Sequence, residues 1–463
     1  MTLQSKSLHG MWSNRWTFIL AATGSAVGLG NIWKFPYIAG ENGGGAFVLI
    51  YLMCIALIGI PIMIAEVLLG KRGRQNPVNA VKSIALENSA RTGWMHIGSM
   101  GIVAGVLIMS FYSVVAGWAL HYFVTTASGD YAGINGEQAG EVFGGLLASP
   151  KILFTWHSIF SFMTFAVVAG GVSKGLGSVA RIMMPFLLAS LVVLLGYGVF
   201  AGEFMASVRF LFGFDFSALS VDAVLIALGH AFFTLSLGMG AIMAYGAYMP
   251  AKACLGRTVI TVGLLDTVIA LMAGLAIFPI VFASPGIEPS SGPGLLFVSL
   301  PVAFGNMALG GLFGTLFFAL VSVAAWSSSV SLIEPGVAWL IENKKWRRVT
   351  ASACVTFVAW AIGILSVLSF NVLADFKPVW LLSFTPFDFF AFLTAQVLLP
   401  LGGVLIAIFV AWVLPRKVFD EELSSLSEGF RTWLFFILRY ISPLLVVMVM
   451  TLKLYETFFS AGV

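Results

Sequence analysis

The chain has 463 residues, of which 59% are hydrophobic and only 10% are charged, and its formal net charge is +4. A soluble domain could not bury that much apolar surface, and so small a net charge gives no indication of a nucleic-acid partner. Three cysteines without ligand spacing and five scattered histidines match no catalytic or metal-binding motif, so the sequence does not predict an enzyme.

Apolar stretches long enough to cross a bilayer recur along the whole chain. A hydrocarbon core about 30 Å thick needs roughly 20 apolar residues in a helix. The sequence predicts eleven such spans, at residues 15–37, 43–70, 94–125, 152–172, 178–201, 221–249, 256–284, 309–341, 350–370, 386–413 and 432–457. The first span is too long and too broken for a signal peptide, so we expect the N-terminus to be retained.

The distribution of basic residues predicts the orientation of these spans. Most of the 24 Lys and Arg residues fall in segments that face the cytoplasm when the N-terminus is inside. This bias predicts a multi-pass protein of the cell (inner) membrane with a cytoplasmic N-terminus and an external C-terminus.

The first span contains a stretch, GSAVGLGNIWKFPYIAGENGGG, that is rich in helix-breaking residues. A break within the membrane is tolerated only where the freed backbone groups face protein or a polar cavity. A half-helix that begins near Asn31 offers N–H groups to a carboxylate, and one that ends at 24–27 offers carbonyls to a cation. The alternative is a glycine-rich surface for helix packing.

The sixth span, five spans later, is interrupted in the same way. It reads HAFFTLSLGMGAIMAYGAYMP, with Ser236, Gly238 and Gly240 at its centre. Paired interruptions at matching positions indicate a transporter built from inverted repeats. The sequence therefore predicts an all-α membrane protein with a five-plus-five inverted repeat: residues 1–201 form the first repeat, 202–413 the second and 414–463 an extra helix, within one membrane domain.

Together with AAWSSSVSLIEP in the eighth span, these stretches resemble the neurotransmitter:sodium symporter family, in its bacterial amino-acid branch. The resemblance covers nearly the whole chain. It implies a symporter that imports an amino acid with sodium by alternating access through the lipid bilayer. Two alternatives are a sodium-dependent transporter of another small solute, such as a betaine, and a receptor or channel on the same scaffold.

The resemblance implies two sodium ions. One would lie between the first and eighth spans, on oxygens of Gly24, Val27, Ala324, Ser327 and Ser328. Positions 324, 327 and 328 share a helix face, and five oxygens suit a hard cation. The other ion would be held by Ala26, Asn31, Thr234 and Asp266. The alternative is that the serine and threonine hydroxyls bond their own helix backbone.

The resemblance also implies the substrate site. Gly28 stands where monoamine transporters of the family have an acidic residue, which indicates a whole amino acid as substrate. The implied site consists of Ala26, Val27, Gly28, Leu29, Gly30, Ile108, Tyr112, Phe233, Thr234, Ser236, Met239, Ser328 and Leu332. Its wall for the side chain carries no charge, and the flexible thioether of Met239 adapts to several shapes. We therefore expect large aliphatic or aromatic L-amino acids.

The resemblance also implies an outer gate and an inner gate on the two sides of the site, and one residue that supports the broken sixth span. Lys34 and Asp388 match the outer gate, and Glu66 matches an acid that supports the broken sixth span. The inner gate would use Trp12, Tyr248 and Glu342, with His9 at the position of the usual basic partner. Snorkelling of Lys34 and Glu342 towards the membrane surface is the alternative.

Chloride-dependent members of the family have Asn where this chain has Asp266 and Ser where it has Ala270, and they supply the missing negative charge with chloride. Tyr51 and Thr234 remain at the implied anion site, whereas His230 replaces the usual Gln. Because Asp266 brings its own negative charge, we expect transport without chloride.

Overall fold

The computed structural model describes residues 10–215, 219–284, 294–379 and 382–460, and over these residues the chain is helical with no strand. Several of the longer helices contain a π turn. The helices, in chain order, are α1 (Arg15–Ala26), α2 (Phe35–Glu41), α3 (Gly45–Gly73), α4 (Pro77–Glu87), α5 (Thr92–Ser128), α6 (Gly136–Ala148), α7 (Pro150–Ala169), α8 (Val172–Ala201), α9 (Phe204–Phe212), α10 (Val221–Thr234), α11 (Ala241–Ala247), α12 (Leu255–Phe282), α13 (Leu295–Asn306), α14 (Gly310–Lys344), α15 (Arg348–Leu368), α16 (Pro386–Val413), α17 (Arg416–Glu422) and α18 (Glu428–Phe458).

Nine helices in the described part of the chain are long and apolar enough to cross a membrane: α3, α5, α7, α8, α12, α14, α15, α16 and α18. Each coincides with a predicted span, and their ends differ from the predicted ends by a few residues. The shorter helices α4, α6, α9, α13 and α17 lie between these spans, and the pattern of apolar spans does not predict them.

The first predicted span consists of two short helices. Asn14 caps the start of α1, where its side-chain oxygen accepts a hydrogen bond from the backbone N–H of Thr17 at 2.9 Å. Val27 has extended backbone angles and ends α1, and a π turn at Gly30–Lys34 leads into α2. The interruption that the glycines predict is therefore present.

The sixth predicted span is also divided, between α10 and α11. Gly238 and Gly240 have φ angles of +77° and +71°, a left-handed conformation that favours glycine. Ser236 adopts a φ of +54°, which is uncommon for a residue with a Cβ atom. Three such residues within five positions end the helix, so backbone groups are left without helical partners.

α8 begins with a distortion. Gly171, immediately before it, has a φ of +85°, and Val172–Leu176 form a π turn. Pro185 lies inside the same helix. The glycines and the proline of this segment predict that the helix can unwind locally here.

α5 and α14 pack closely together at the centre of the molecule. A Cβ atom at Gly105 of α5 would lie 2.5 Å from the carbonyl oxygen of Leu332 in α14, so only glycine allows this approach. His157 of α7 fixes the neighbouring helices, since its Nδ1 lies 2.9 Å from Ser113 Oγ and its Nε2 lies 3.1 Å from the Trp360 carbonyl oxygen. These contacts join α5 to α7 and α14, and α7 to α15.

We expect Gly105→Ala to destabilise the protein by about 1–3 kcal/mol, because the added methyl group forces α5 away from α14. Thermal unfolding of the purified protein in detergent measures this. Gly144→Ala on α6 is the matched control, since no atom lies within 4 Å of the position that its added methyl group would occupy. Equal midpoints of thermal unfolding for Gly105→Ala and Gly144→Ala would contradict the close packing of α5 and α14.

Candidate functional site

The two interrupted segments meet at a central cavity. The Ser236 hydroxyl donates a hydrogen bond to the Ser25 carbonyl oxygen at 3.0 Å, which joins the break in the sixth span to the break in the first. The residues that line the cavity come from the end of α1, both breaks, α5, α10 and α14: Ser25, Ala26, Gly28, Leu29, Gly30, Ile108, Tyr112, Phe233, Thr234, Ser236, Met239, Ser328 and Leu332. The structure therefore brings together all the predicted substrate residues except Val27, which does not line the cavity, and it adds Ser25.

One side of the cavity presents backbone and hydroxyl groups. The Leu29 N–H donates to the Tyr112 hydroxyl oxygen at 3.3 Å. A Cβ atom at Gly28 would lie 2.5 Å from Ser328 Oγ and 2.8 Å from the Tyr112 hydroxyl. A side chain at this position would displace both hydroxyls, so Gly28 leaves the backbone accessible to a ligand.

The cavity is small. Its free volume is about 20 Å³, which is close to the space that one water molecule requires. Phe233 forms part of its wall, and the Lys34 ammonium lies 5.1 Å from the centre of that ring. A ligand the size of an amino acid therefore enters only when wall side chains such as Met239 move.

Asn31, Thr234 and Asp266 form a buried cluster of polar side chains beside the cavity. Asp266 Oδ1 accepts a hydrogen bond from Asn31 Nδ2 at 2.8 Å, and Thr234 Oγ1 lies 3.2 Å from Asp266 Oδ2. Asp266 is completely buried, and in the described part of the chain no Lys, Arg or His forms an ion pair with it. A buried carboxylate that is bonded only by neutral side chains, with no cationic side chain beside it, fits a bound sodium ion.

A second set of oxygens lies between α1 and α14. The Ser328 hydroxyl lies 3.3 Å from the Gly24 carbonyl oxygen and 3.1 Å from that of Val27. The Ser327 hydroxyl instead donates to the Ala324 carbonyl within its own helix, at 2.9 Å. Three of the five predicted sodium ligands, Gly24, Val27 and Ser328, therefore lie close together. Ser327 and Ala324 instead form a hydrogen bond within their own helix, which is the alternative role expected for such hydroxyls.

The predicted outer gate residues do not form an ion pair in this structure. Lys34 lies over the Phe233 ring. Asp388 lies in the first turn of α16, where its Oδ2 accepts a hydrogen bond from the Thr385 hydroxyl at 2.7 Å. Thr385 also caps this helix, so the capping interaction fixes the Asp388 side chain at its own helix terminus.

The inner side of the site is closed by aromatic residues. The backbone N–H of Trp12 donates a hydrogen bond to the Tyr248 carbonyl oxygen at 3.0 Å. Its indole Nε1 donates to the Tyr245 carbonyl oxygen, also at 3.0 Å. Glu342 accepts hydrogen bonds from the backbone N–H and the side-chain amide of Asn76, at 2.8 and 2.5 Å. His9, the expected basic partner, lies outside the described residues.

A buried ion pair that the sequence motifs do not indicate lies beside Tyr248. Glu334 of α14 is completely buried, and both of its carboxylate oxygens accept hydrogen bonds from the guanidinium of Arg348 in α15. The Tyr248 hydroxyl donates to Glu334 Oε1 at 2.7 Å. An acidic residue within an apolar span requires a partner, and this signal could have found the pair, since Arg348 begins the next helix.

Glu66 occupies the predicted supporting position. It is completely buried in α3, and its Oε1 accepts a hydrogen bond from the backbone N–H of Gly238 at 2.5 Å. This N–H is one of the groups freed by the break between α10 and α11, so the carboxylate satisfies a donor that the helix cannot.

An all-helical membrane fold in which two interrupted segments enclose a small-molecule site defines a secondary transporter. The family model for the sodium:neurotransmitter symporter family matches residues 9–133 and 149–460, and this chain belongs to that family. The resemblance seen in the sequence motifs is thereby confirmed.

Known relatives and a solved structure agree with this assignment. The chain is 37% identical to the sodium-dependent transporter YhdH of Bacillus subtilis (strain 168), over 95% of this chain and 96% of the relative. It is 26% identical to the human sodium- and chloride-dependent GABA transporter 2, over 92% of this chain and 76% of the relative. The crystal structure of MhsT in complex with L-phenylalanine superposes with a TM-score of 0.87 and 40% identity, covering 96% of this chain and 99% of MhsT. The protein is a sodium-dependent symporter with several membrane spans, and it is not an enzyme.

We expect Ser328→Ala to lower sodium affinity by about tenfold, because the variant loses a hydroxyl ligand to a charged ion. Sodium titration of substrate binding to purified protein measures this. Ser329→Ala is the matched control, because the Ser329 hydroxyl lies 2.8 Å from Thr164 of α7 instead of facing α1. Unchanged sodium dependence in Ser328→Ala would place this cation elsewhere.

Proposed function

We propose that this protein imports hydrophobic L-amino acids, large aliphatic or aromatic, together with sodium. The observation that carries the proposal is the central cavity, which combines exposed backbone groups at the two breaks with a wall that contains no charged side chain. The backbone groups suit the carboxylate and ammonium common to all amino acids, whereas the apolar wall selects among their side chains.

The polar end of the cavity suits an amino-acid backbone. The N–H groups around Leu29 and Gly30 and the Tyr112 hydroxyl are donors for a carboxylate, which would also complete the sodium shell at Asp266. The carbonyls of Ala26, Phe233 and Thr234 and the Ser236 hydroxyl are acceptors for an ammonium group. Ser25 contributes indirectly, since its carbonyl holds Ser236 in place.

The apolar end of the cavity suits a large side chain. Ile108, Phe233 and Leu332 form a wall without polar atoms, and Met239 lies between two glycines in the non-helical part of the sixth span. A flexible thioether on a segment free of helical hydrogen bonds adjusts easily to ligands of different size. The complex of L-phenylalanine with MhsT, a 40% identical protein, supports an aromatic substrate.

The proposed architecture has eleven spans in two inverted repeats, residues 1–201 and 202–413, with residues 414–463 as an additional helix. Counting α1 with α2 and α10 with α11 as interrupted spans gives this number beside the nine continuous ones. The N-terminus is proposed to face the cytoplasm because most basic residues then lie inside. Two sodium ions would enter down their gradient, aided by about 2.3 kcal/mol per charge per 100 mV of membrane potential.

Substrate selectivity can be tested by thermal stabilisation of the purified protein with each of the twenty amino acids, in sodium and in potassium. We expect Leu, Ile, Met, Phe, Tyr and Trp to stabilise the protein only in sodium, because their carboxylate completes a sodium site. Charged amino acids and dopamine should have no effect, because the wall offers no countercharge. Stabilisation by dopamine, or equal stabilisation in potassium, would disprove the assignment.

Chloride independence follows from the buried carboxylate of Asp266. We expect equal uptake by proteoliposomes in sodium chloride and in sodium sulfate at matched sodium concentration. Asp266→Asn removes the negative charge that balances sodium, so this variant should lose activity or become dependent on chloride. Wild-type uptake that stops without chloride, or an Asp266→Asn variant that matches wild type in both media, would contradict the charge argument.

A further inference from the structure

Basic and aromatic side chains lie together where α16, α17 and α18 meet. We refer to this set as the basic patch, and it consists of Trp412, Arg416, Arg431, Phe435, Arg439 and Tyr440. Trp412 is the last residue but one of α16 and is 53% exposed, and Tyr440 is 47% exposed. Exposed Trp and Tyr rings at the end of a span are typical of the boundary between the hydrocarbon core and the lipid headgroups.

The position of Arg439 along α18 agrees with this placement. Arg439 and Lys453 are about 21 Å apart along the helix, at 1.5 Å per residue. Since the hydrocarbon core is about 30 Å thick, both residues begin within it or at its boundaries and extend towards the headgroups. A cation at this depth requires an anionic partner. Lys453 has one in Glu456, at 2.7 Å.

The Arg439 guanidinium has aromatic neighbours but no anionic one. It lies 4.6 Å from the ring centre of Trp412 and 5.6 Å from that of Tyr440. No carboxylate of the described residues forms an ion pair with it, and its Nε is buried there without a hydrogen-bond partner. A guanidinium that lies over a ring can still donate through its edge, which matches the oxygens of a phosphate group.

The backbone of α18 brings Trp412 to this arginine. Arg439 lies in a π turn, Ile437–Ile441. Pro443, four residues after Arg439, has no N–H to donate to the Arg439 carbonyl. The indole Nε1 of Trp412 donates to that carbonyl oxygen instead, at 2.8 Å. The bond holds the indole ring beside the guanidinium, so α16 and α18 build the site together.

The other charges of the basic patch do not neutralise Arg439. The Arg416 guanidinium lies 5.3 Å from the ring centre of Phe435, which the Arg439 guanidinium also contacts, at 5.9 Å. Asp420 is shared between Arg416 and Arg431, at 3.3 and 3.7 Å. The other acids of α17 pair with basic residues of α3: Glu421 with Arg72, and Glu422 with Lys71. Three guanidinium groups therefore have one carboxylate among them within the described residues.

We propose that the basic patch binds an anionic phospholipid, whose phosphate contacts the Arg439 guanidinium. The exposed side chains of Tyr440, Leu444 and Val447 lie on one face of α18 and continue from the patch towards the middle of the span, where they suit an acyl chain. A zwitterionic headgroup would bring its own cation towards Arg416, whereas the headgroup of phosphatidylglycerol brings none. The lipid thus joins α16 and α18 to α17, which ion pairs connect to α3.

Native mass spectrometry of the full-length protein, purified in detergent, measures the binding. Palmitoyl-oleoyl phosphatidylglycerol and the phosphatidylcholine with the same acyl chains are added separately. We expect the first phosphatidylglycerol molecule to bind about tenfold more tightly, because its charge is not offset by a cation. Inorganic phosphate in large molar excess tests for a site that takes the free anion. It should displace no more lipid than sodium chloride at equal ionic strength.

Substitution of Arg439 tests where the lipid binds. Arg439→Gln should lower the affinity for the first phosphatidylglycerol about tenfold, because the phosphate loses its charged donor. Arg257→Gln is the matched control: it removes the same charge at the exposed start of α12, where the guanidinium lies over no ring of the described residues. Arg439→Lys keeps the charge without the planar donor group and should lose about threefold.

Three results would overturn the proposal: equal affinity for the two lipids, displacement of phosphatidylglycerol by inorganic phosphate beyond the salt baseline, or wild-type affinity in a folded Arg439→Gln variant. If that variant does not fold, Arg439→Lys replaces it, and undiminished affinity there has the same meaning. Lipid binding is measured without transport, so the result is independent of the proposed function.

Discussion

The site depends on backbone groups that two membrane helices leave unpaired. A helix that breaks inside a membrane loses hydrogen bonds that lipid cannot replace, so each break requires partners within the protein. Glu66 accepts the freed N–H of Gly238, and the Ser236 hydroxyl donates to the carbonyl of Ser25. The first bond anchors the sixth-span break to α3 and the second joins the two breaks, and residues of both breaks line the central cavity. The same feature that weakens the helices therefore creates the binding site.

Buried charge is arranged around this site in two different ways. Asp266 has neutral hydrogen-bond donors, Asn31 and Thr234, which leaves its negative charge available to a cation. Glu334 is neutralised by Arg348 and bonded by the Tyr248 hydroxyl. An unpaired buried charge is costly, whereas a pair with good hydrogen bonds is tolerated. The first arrangement thus suits reversible ion binding, whereas the second neutralises the buried charge of Glu334 within the protein.

The two sides of the cavity differ in how they are closed. On the inner side, Trp12 makes hydrogen bonds through both its backbone and its indole nitrogen, and the neighbouring Tyr248 bonds to the buried ion pair. On the outer side, Phe233 contributes to the wall and has Lys34 above it. A cation over an aromatic ring is held more weakly than a buried bidentate ion pair. The outer closure is therefore the weaker of the two.

The sequence by itself determined the apolar spans, the two interruptions and the family, because these depend on local composition and on motifs of contiguous residues. It also identified nearly all residues of the central cavity through the family resemblance, with Ser25 missing and Val27 added. Only the tertiary structure decided which side chains meet across helices. Lys34 contacts Phe233 while Asp388 bonds to Thr385, and Glu334 finds Arg348 on the next helix. Such pairings depend on the rotation and depth of each helix relative to its neighbours, which no local pattern specifies.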